Sequence, residues 1–209
     1  MLGFGAEDHS VLLLDGKGVL SQWDLRSRQR MHQWTFPERP VQIALARTKA
    51  SLVTRNWGGL AGWRTTDGQK LWDNPLEGGN PAGLSHDGKV IAVPSGDGFT
   101  KLFDTRAGAE TGRLAGSLLG NHSVGFSPDG QRLAIGSDGS EAAKVWDMGL
   151  RQELLTFEGQ GSGFQRTAFS SDGRFLGSSS MKGPHLWRAP TWEEIANAER
   201  EANAASQKP

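Results

Sequence analysis

The sequence contains no cysteine, which excludes disulfide bonds, thiolate metal sites and a cysteine nucleophile. It also lacks an excess of either charge, because 23 lysines and arginines balance 23 aspartates and glutamates. A balanced chain has no long-range attraction for nucleic acid or anionic lipid, so neither is predicted as a partner. No apolar run approaches the length that spans a membrane, and the first ten residues show no signal peptide. We therefore expect a cytoplasmic domain without a membrane span.

Tyrosine is absent as well, whereas the sequence has 29 glycines and 8 tryptophans. An aromatic residue closes a short apolar segment every 40 to 43 residues, and aspartate or arginine follows it. The five structural repeat positions are Trp23, Trp63, Phe103, Trp146 and Trp187. Self-similarity at this period is typical of a fold that repeats one supersecondary unit.

Tight turns precede three of these aromatic residues at a constant place in the repeat. The turn segments are Ser85–Gly88, Ser127–Gly130 and Ser170–Gly173, and each ends in Asp-Gly. Asp-Gly supplies the positive φ of a hairpin turn, so the apolar segments on either side are predicted to pair as antiparallel strands. Most repeats add an outer segment after the aromatic residue. The pattern therefore predicts four short strands per repeat, except for three in the last, and 19 strands in all.

The turn Ser127–Gly130 followed by Val145-Trp146-Asp147 resembles the repeat of WD-repeat proteins, especially the bacterial form. The resemblance covers essentially the whole chain. It implies an all-β fold, a β-propeller of about five four-stranded blades. The blades would span 1–37, 38–77, 78–117, 118–159 and 160–190.

The end of the sequence carries a second resemblance. Trp187–Ile195 is similar to the tail of many bacterial WD-repeat proteins, which often follows kinase or other signalling modules. Thr191 and Glu194 have the spacing of a capping box, which predicts a short C-terminal α-helix over 191–203. A disordered tail is expected over 204–209.

One feature of the WD-repeat family is missing from the sequence. The family pattern implies a hydrogen-bond network of a histidine, a serine or threonine, an aspartate and the tryptophan indole in each blade. The histidine is absent throughout. The aspartate would fall six residues before the repeat aromatic, where this sequence has Lys17, Trp57, Asp97, Ser140 and Met181. The blades are therefore predicted to be held mainly by apolar packing.

The strand count predicts an incomplete ring. The chain opens on an innermost strand and ends on a third strand, so the last blade has no outer strand of its own. We expect the remaining blades to come from a longer chain or from a homo-oligomer. A self-closed ring of five blades and completion by another chain are the alternatives.

Motifs for catalysis are missing, and no enzymatic activity is predicted. The five histidines are scattered without metal-ligand spacing, and neither a nucleophile elbow nor a kinase loop occurs. No metal and no cofactor are therefore expected. One segment supports an alternative: Thr66–Trp72 resembles the Asp-Gly-x-x-x-Trp element of quinoprotein propellers, enzymes whose blades surround a pyrroloquinoline quinone. It occurs once.

The remaining hypothesis is a protein-interaction scaffold. In a propeller, the turns between the second and third strands lie on one face with the loops that enter the first strand. Candidate partner-binding residues on this face are Arg55, Trp57, Asn121, His122, Phe164, Arg166 and Lys182. Tryptophan and arginine often dominate interfaces. The alternatives are that Trp57 packs between blades and that the charged residues are ordinary surface. We expect a protein or peptide partner.

Overall fold

The computed structural model describes residues 2–4, 9–38, 40–45, 51–64, 67–76, 80–116, 120–137, 141–158 and 163–190, together with 194, 197 and 200. Apart from the last three, these residues form 19 strands in five antiparallel sheets with their connecting turns. The first sheet has β1 (Leu2–Phe4), β2 (Ser10–Leu14), β3 (Val19–Asp24) and β4 (Arg30–Thr35). The second has β5 (Gln42–Leu45), β6 (Ser51–Asn56), β7 (Gly59–Arg64) and β8 (Lys70–Pro75).

The other three sheets repeat this order. The third has β9 (Gly83–Leu84), β10 (Val90–Pro94), β11 (Phe99–Asp104) and β12 (Glu110–Ala115). The fourth has β13 (Asn121–Phe126), β14 (Arg132–Ser137), β15 (Glu141–Asp147) and β16 (Gln152–Glu158). The fifth has β17 (Phe164–Phe169), β18 (Phe175–Ser180) and β19 (Gly183–Arg188). The architecture is all-β and propeller-like, as the repeat predicts, and the predicted number of strands is confirmed.

The predicted turns supply the sharp reversals between the first and second strands. Gly88, Gly130 and Gly173 have φ angles of 71° to 72°, which only glycine adopts without strain. The first four sheets share a second irregularity, a register shift next to the repeat aromatic between the third and fourth strands. Such bulges bend a strand and increase its twist, so each sheet acquires the same twisted shape.

The core lies between the sheets. Four apolar clusters join consecutive sheets, the first through the fifth. In each cluster the repeat aromatic of one sheet packs against the preceding sheet. The ring of Trp63 meets that of Phe36 edge-on, with 5.0 Å between the ring centroids. The ring of Trp187 stacks on that of Phe157, with 4.8 Å between the centroids. Four of the five repeat aromatics, all except Trp23, therefore pack between neighbouring blades.

Polar contacts link neighbouring sheets near their first strands. The Gln42 amide donates to the Ala82 carbonyl and accepts from the Ala82 N–H, both at 2.7 Å. Asn80 donates to the Asn121 carbonyl at 2.8 Å, and Ser123 donates to the Phe164 carbonyl at 3.0 Å. Each contact reaches 40 or 41 residues along the chain, which is one repeat. We call these contacts the inter-sheet clasps.

Only parts of the family's hydrogen-bond network are present in the described ranges. The Trp63 indole donates to the hydroxyl of Thr54 on the second strand at 2.8 Å, whereas the Trp23 indole donates to Ser21 of its own strand at 3.2 Å, outside the family pattern. The Trp146 indole N–H is buried and finds no acceptor among the described residues. The sheets are accordingly held together by apolar packing and by the clasps.

The two end sheets each have a face that no other described sheet covers. In the first sheet, Val11 pairs with Trp23, and Leu13, two residues further along β2, is 39% exposed. Val93 and Ile135 occupy the same place in the third and fourth sheets, and each is at most 1% exposed. Leu186 precedes Trp187 and is 69% exposed, whereas Leu102, before Phe103, is 2% exposed. Both positions are buried between sheets in the middle blades and exposed in the first and last sheets.

The predicted C-terminal helix and tail lie almost wholly outside the described residues. Of the predicted helix over 191–203, only Glu194, Asn197 and Arg200 are described, and all three are helical. The predicted tail, 204–209, is not described. Among the described residues, no helix is both long and apolar enough to cross a bilayer.

Candidate functional site

The candidate site is built on the turns between the second and third strands. In the second sheet, Asn56 pairs with Gly59, so Trp57 and Gly58 form a two-residue turn. Gly59 has a φ of 153°, and a Cβ there would lie 2.3 Å from the Asn74 carbonyl oxygen. The Trp57 side chain is 72% exposed. It therefore projects from the turn and does not pack between blades.

The fifth sheet carries an equivalent turn. Ser180 pairs with Gly183, and Met181, the most exposed of the large apolar side chains described, is 89% exposed. The Ser180 hydroxyl accepts from the Lys182 N–H at 3.2 Å and donates to the Gly183 carbonyl at 3.2 Å. These bonds fix the turn while its apolar side chain stays in solvent. We call Trp57 and Met181 the hairpin tips.

Met181 is a candidate that the sequence-based site omitted. Trp57 and Met181 both lie six residues before the repeat aromatic, so the signal was present in the register. This place in the repeat, where the family has an aspartate, is an exposed turn position in this protein. Because the turns occur at the same place in similar sheets, the two tips lie on the same side of the array.

Arg55, which was predicted on this surface, points into the protein. It is 2% exposed, and its Nη1 donates to the carbonyls of Asn56 at 3.1 Å and Leu76 at 3.3 Å. Burial lowers the pKa of the Arg55 guanidinium from its ordinary value. A buried charge is costly unless it is hydrogen-bonded, and these carbonyls provide part of that compensation. Arg55 thus braces the turn that carries Trp57 and offers little surface to a partner.

The other predicted residues divide by exposure. Asn121 and Phe164 are buried at the starts of β13 and β17, where their carbonyls accept the inter-sheet clasps. His122 is half-buried. Arg166 and Lys182 are exposed and lie with the tips in solvent. The accessible part of the predicted set is therefore Trp57, His122, Arg166 and Lys182, to which the structure adds Met181.

The third sheet places an acidic residue at the same register. Asp97 forms an ion pair with Lys101 at 3.2 Å. Partial burial opposes ionisation, but hydrogen bonds from the Phe99 N–H and from Lys101 outweigh it, so the pKa of Asp97 is below its ordinary value. The second and fifth sheets thus present apolar residues at this place in the repeat, and the third sheet presents the ion pair of Asp97 and Lys101.

The described ranges were also compared with the predictions of no metal site and of a quinoprotein-like segment. No group of three His, Asp or Glu residues in them is placed to hold a metal ion. The quinoprotein-like segment has a structural explanation: the Trp72 indole donates to the Thr105 carbonyl at 3.2 Å, and its ring lies against Gly62 and Gly108. A Cβ at either glycine would come within 2.4 Å of the ring. Trp72 thus joins the second and third sheets.

Comparisons with known proteins agree with the fold. No protein-family model matches the sequence. The chain is similar to Pre-mRNA-processing factor 19 of Oryza sativa subsp. japonica, at 31% identity over 103 residues, 47% of this chain and 19% of that protein. It is similar to WD repeat-containing protein 1 of Xenopus tropicalis, at 32% identity over 77 residues, 35% of this chain and 12% of that protein.

A third relative matches a longer segment. Pre-mRNA-processing factor 19 homolog 2 of Arabidopsis thaliana is 25% identical over 134 residues, 56% of this chain and 25% of that protein. The chain thus spans no more than a quarter of the length of these three relatives. All three come from eukaryotes, so they do not support the bacterial form that the sequence resembled. The sheet architecture and these relatives together support the WD-repeat family, at low sequence identity.

Proposed function

We propose that the chain is a non-catalytic scaffold that binds a protein or peptide through the face carrying the hairpin tips. The observation that carries the proposal is the 72% exposure of Trp57 on a short, braced turn. An exposed tryptophan on a rigid turn loses little conformational entropy on binding and contributes a large apolar area. The similarity to WD-repeat proteins supports a role in protein binding.

The chain's own surface specifies the partner chemistry. Two apolar tips call for apolar side chains on the partner, and Arg166 and Lys182, exposed in the same sheet as Met181, favour carboxylates. We further propose that the five sheets are one part of a larger ring, in which a longer chain or further copies supply the missing blades. The uncovered Leu13 and Leu186 support this view, because their equivalents are buried in the middle sheets.

A peptide-display selection against the purified chain tests the binding face. Peptides recovered in the selection are measured by titration against wild type, Trp57→Ala and Met181→Ala. We expect each substitution to weaken binding by about tenfold or more, as truncation of an interface anchor does. Thermal melting should be unchanged, because both side chains are in solvent and support no core contact.

The matched control is Leu150→Ala. Leu150 is 70% exposed but lies in the turn between β15 and β16, at the opposite end of the sheet from the tips. Its substitution should leave affinity within about twofold of wild type. If selected peptides bind all four proteins equally, the hairpin tips are not the binding face.

A further inference from the structure

A cavity of about 270 Å³ lies between the third and fourth sheets, at the end of the sheets opposite to the hairpin tips. Its floor is apolar and consists of Val90, Leu102, Phe126 and Met148, which belong to the cluster that joins the two sheets or pack against it. Each of the two sheets packs against a described sheet on both sides. The cavity therefore belongs to an interior junction of the array.

The junction between the second and third sheets shows what this junction lacks. There the Trp72 indole lies against Gly108 and donates to the Thr105 carbonyl at 3.2 Å. Between the third and fourth sheets, Gly112 stands at the place of Trp72, because each pairs with the residue before the repeat aromatic. Arg151 stands at the place of Gly108, five residues after the repeat aromatic. This junction therefore has no indole of its own.

The hydrogen-bond acceptor for an indole is nevertheless kept. Met148 occupies the place of Thr105, two residues after the repeat aromatic, and it lines the cavity. No hydrogen bond to the Met148 carbonyl occurs among the described residues. Leu102 stands where Gly62 lies under the Trp72 ring, so a ring in the cavity would rest on Leu102, further from the sheet. A cavity of about 150 Å³ already takes benzene, so this one has room for a bicyclic ring.

Arg151 provides a flat cation beside this space. Its φ is 55°, a conformation that glycine adopts without strain at Gly108, where φ is 65°. Its guanidinium lies so close to Gly112 that a Cβ there would collide with it. No ion pair or hydrogen bond of the Arg151 side chain occurs among the described residues. A guanidinium in this position can stack on the face of an aromatic ring that enters the cavity.

Two carboxylates stand at the rim of the cavity, those of Asp87 and Asp129. A serine hydroxyl donates to each, which holds the pKa of both carboxyls below its ordinary value and keeps them ionised. Asp87 has an exposed ion pair with Lys89 at 3.1 Å, whereas Asp129 has none among the described residues. Exposed pairs of this kind exchange easily. The rim therefore favours a ligand that carries positive charge next to its ring.

We propose that this cavity binds a tryptophan side chain of a partner protein, from a segment with lysine beside the tryptophan. The indole rests on the apolar floor, its N–H donates to the Met148 carbonyl, and Arg151 stacks on its outer face. The lysine ammonium meets the carboxylate of Asp129. This surface is separate from the hairpin tips, so failure of either proposal leaves the other intact.

The probe is the tripeptide acetyl-Lys-Trp-Lys-amide, titrated into the complete 209-residue chain labelled with ¹⁵N. We expect saturable changes in the amide resonances of Leu102, Met148 and Arg151, which weaken as salt increases because the lysines act through charge. Three altered tripeptides need no protein variant. A 1-methyltryptophan without the N–H donor should bind about fivefold more weakly. Glutamate in place of both lysines should cost about threefold or more, and leucine in place of tryptophan about tenfold.

The protein variant is Arg151→Gly, with Arg28→Gly as its matched control. Arg28 occupies the same place in the first sheet, is exposed and has a φ of 58°, but it does not line the cavity. We expect Arg151→Gly to weaken binding of the tripeptide about threefold and Arg28→Gly to leave it unchanged. Both thermal midpoints should stay close to wild type, because relief of the positive φ offsets the greater freedom of glycine in the unfolded chain.

Five outcomes overturn the proposal. One is an absence of saturable changes, and another is changes confined to the hairpin tips, which would assign the tripeptide to that face. Equal binding of the leucine tripeptide would show an apolar patch without preference for an aromatic ring. Equal binding of the 1-methyltryptophan tripeptide would remove the Met148 carbonyl as the acceptor. Equal weakening by Arg151→Gly and Arg28→Gly would show that charge at a distance, and not stacking, is responsible.

Discussion

The indole of Trp72 fills a gap between the second and third sheets that exists because two glycines lack a Cβ. Gly62 lies under the ring in the same sheet, and Gly108 lies against it from the next sheet, where it also has a φ of 65°. The hydrogen bond from the indole to the Thr105 carbonyl holds the ring in this gap. A single aromatic residue thus aligns two blades through packing and one directional bond.

Substitution of Gly62 by alanine should destabilise the protein. The added Cβ would lie 2.2 Å from the Trp72 ring, so the ring must leave its site or the two sheets must separate. We expect a loss of about 1–3 kcal/mol in the free energy of unfolding, measured by urea denaturation. The control is Gly96→Ala, because nothing lies within 4 Å of a Cβ there. Equal midpoints for the two variants would contradict the role of Trp72.

Residue-scale features also show why the candidate site was only partly predictable. Alternation along β6 separates two faces, but in a propeller both faces of an inner sheet are covered by neighbours. Periodicity therefore could not tell that Arg55 points into the protein while Trp57, on the turn, points out. Asn121 and Phe164 are buried for the same reason. Turn positions were easier, because a two-residue hairpin tip has no neighbour to cover it.

At the scale of the element, three hairpins share one turn chemistry. The serine hydroxyls of Ser85, Ser127 and Ser170 donate to the aspartates two residues on, at 2.5 to 2.7 Å. The same hydroxyls accept a backbone N–H from the next strand at 2.9 to 3.0 Å. The hydrogen bond from the serine hydroxyl is the main reason why the pKa of each aspartate is below its ordinary value. The turns therefore prefer ionised aspartate.

This preference makes the hairpins sensitive to acid. A carboxyl whose pKa is lower in the folded state stabilises the fold above its unfolded pKa, about 3.9, and that stability is lost as the pH falls through the folded pKa. We expect the urea midpoint to decrease between pH 6 and pH 3. Asp129→Asn should be less stable at pH 6 and should show a smaller decrease on acidification. Parallel pH profiles for wild type and Asp129→Asn would contradict the assignment.

The elements themselves were the most predictable level. Asp-Gly turns and the aromatic register located the strands, since both depend on local backbone geometry and a fixed period. The inter-sheet clasps were not foreseen, because their acceptors are backbone carbonyls that a sequence does not distinguish. The bond between the Trp63 indole and Thr54 was also missed. Thr54 and Trp63 keep this bond although the histidine and the aspartate of the family pattern are missing from the blade.

At the scale of the whole molecule, the end faces determine behaviour in solution. In the middle sheets, the residues equivalent to Trp23 and Leu13 pack against the preceding sheet. Among the described residues, no sheet precedes the first one, so Trp23 and Leu13 have no sheet to pack against. Apolar faces of this kind drive association between molecules. A terminal repeat without a cap also loses one nearest-neighbour interface of stability.

We therefore expect the isolated chain to self-associate, and Leu13→Lys to reduce the association. Multi-angle light scattering over a concentration series measures the effect, with Leu150→Lys as a control of higher exposure away from both end faces. The lysine places a charge where a preceding blade would pack, so we expect the apparent association constant to decrease about tenfold or more. A wild-type chain that remains monomeric at all concentrations would show that the end faces are satisfied within one molecule.

The inter-sheet clasps have a consequence for how such a gene can change over generations. Gln42, Asn80 and Ser123 each bond to main-chain atoms of the following repeat, at Ala82, Asn121 and Phe164. A main-chain carbonyl is present whatever residue occupies the position, and the Ala82 N–H is present for any residue except proline. Duplication, loss or exchange of a whole repeat by recombination thus leaves each donor with an acceptor and requires no matching substitution in the adjacent unit. The number of repeats can therefore change before the side chains at the new junction between repeats change.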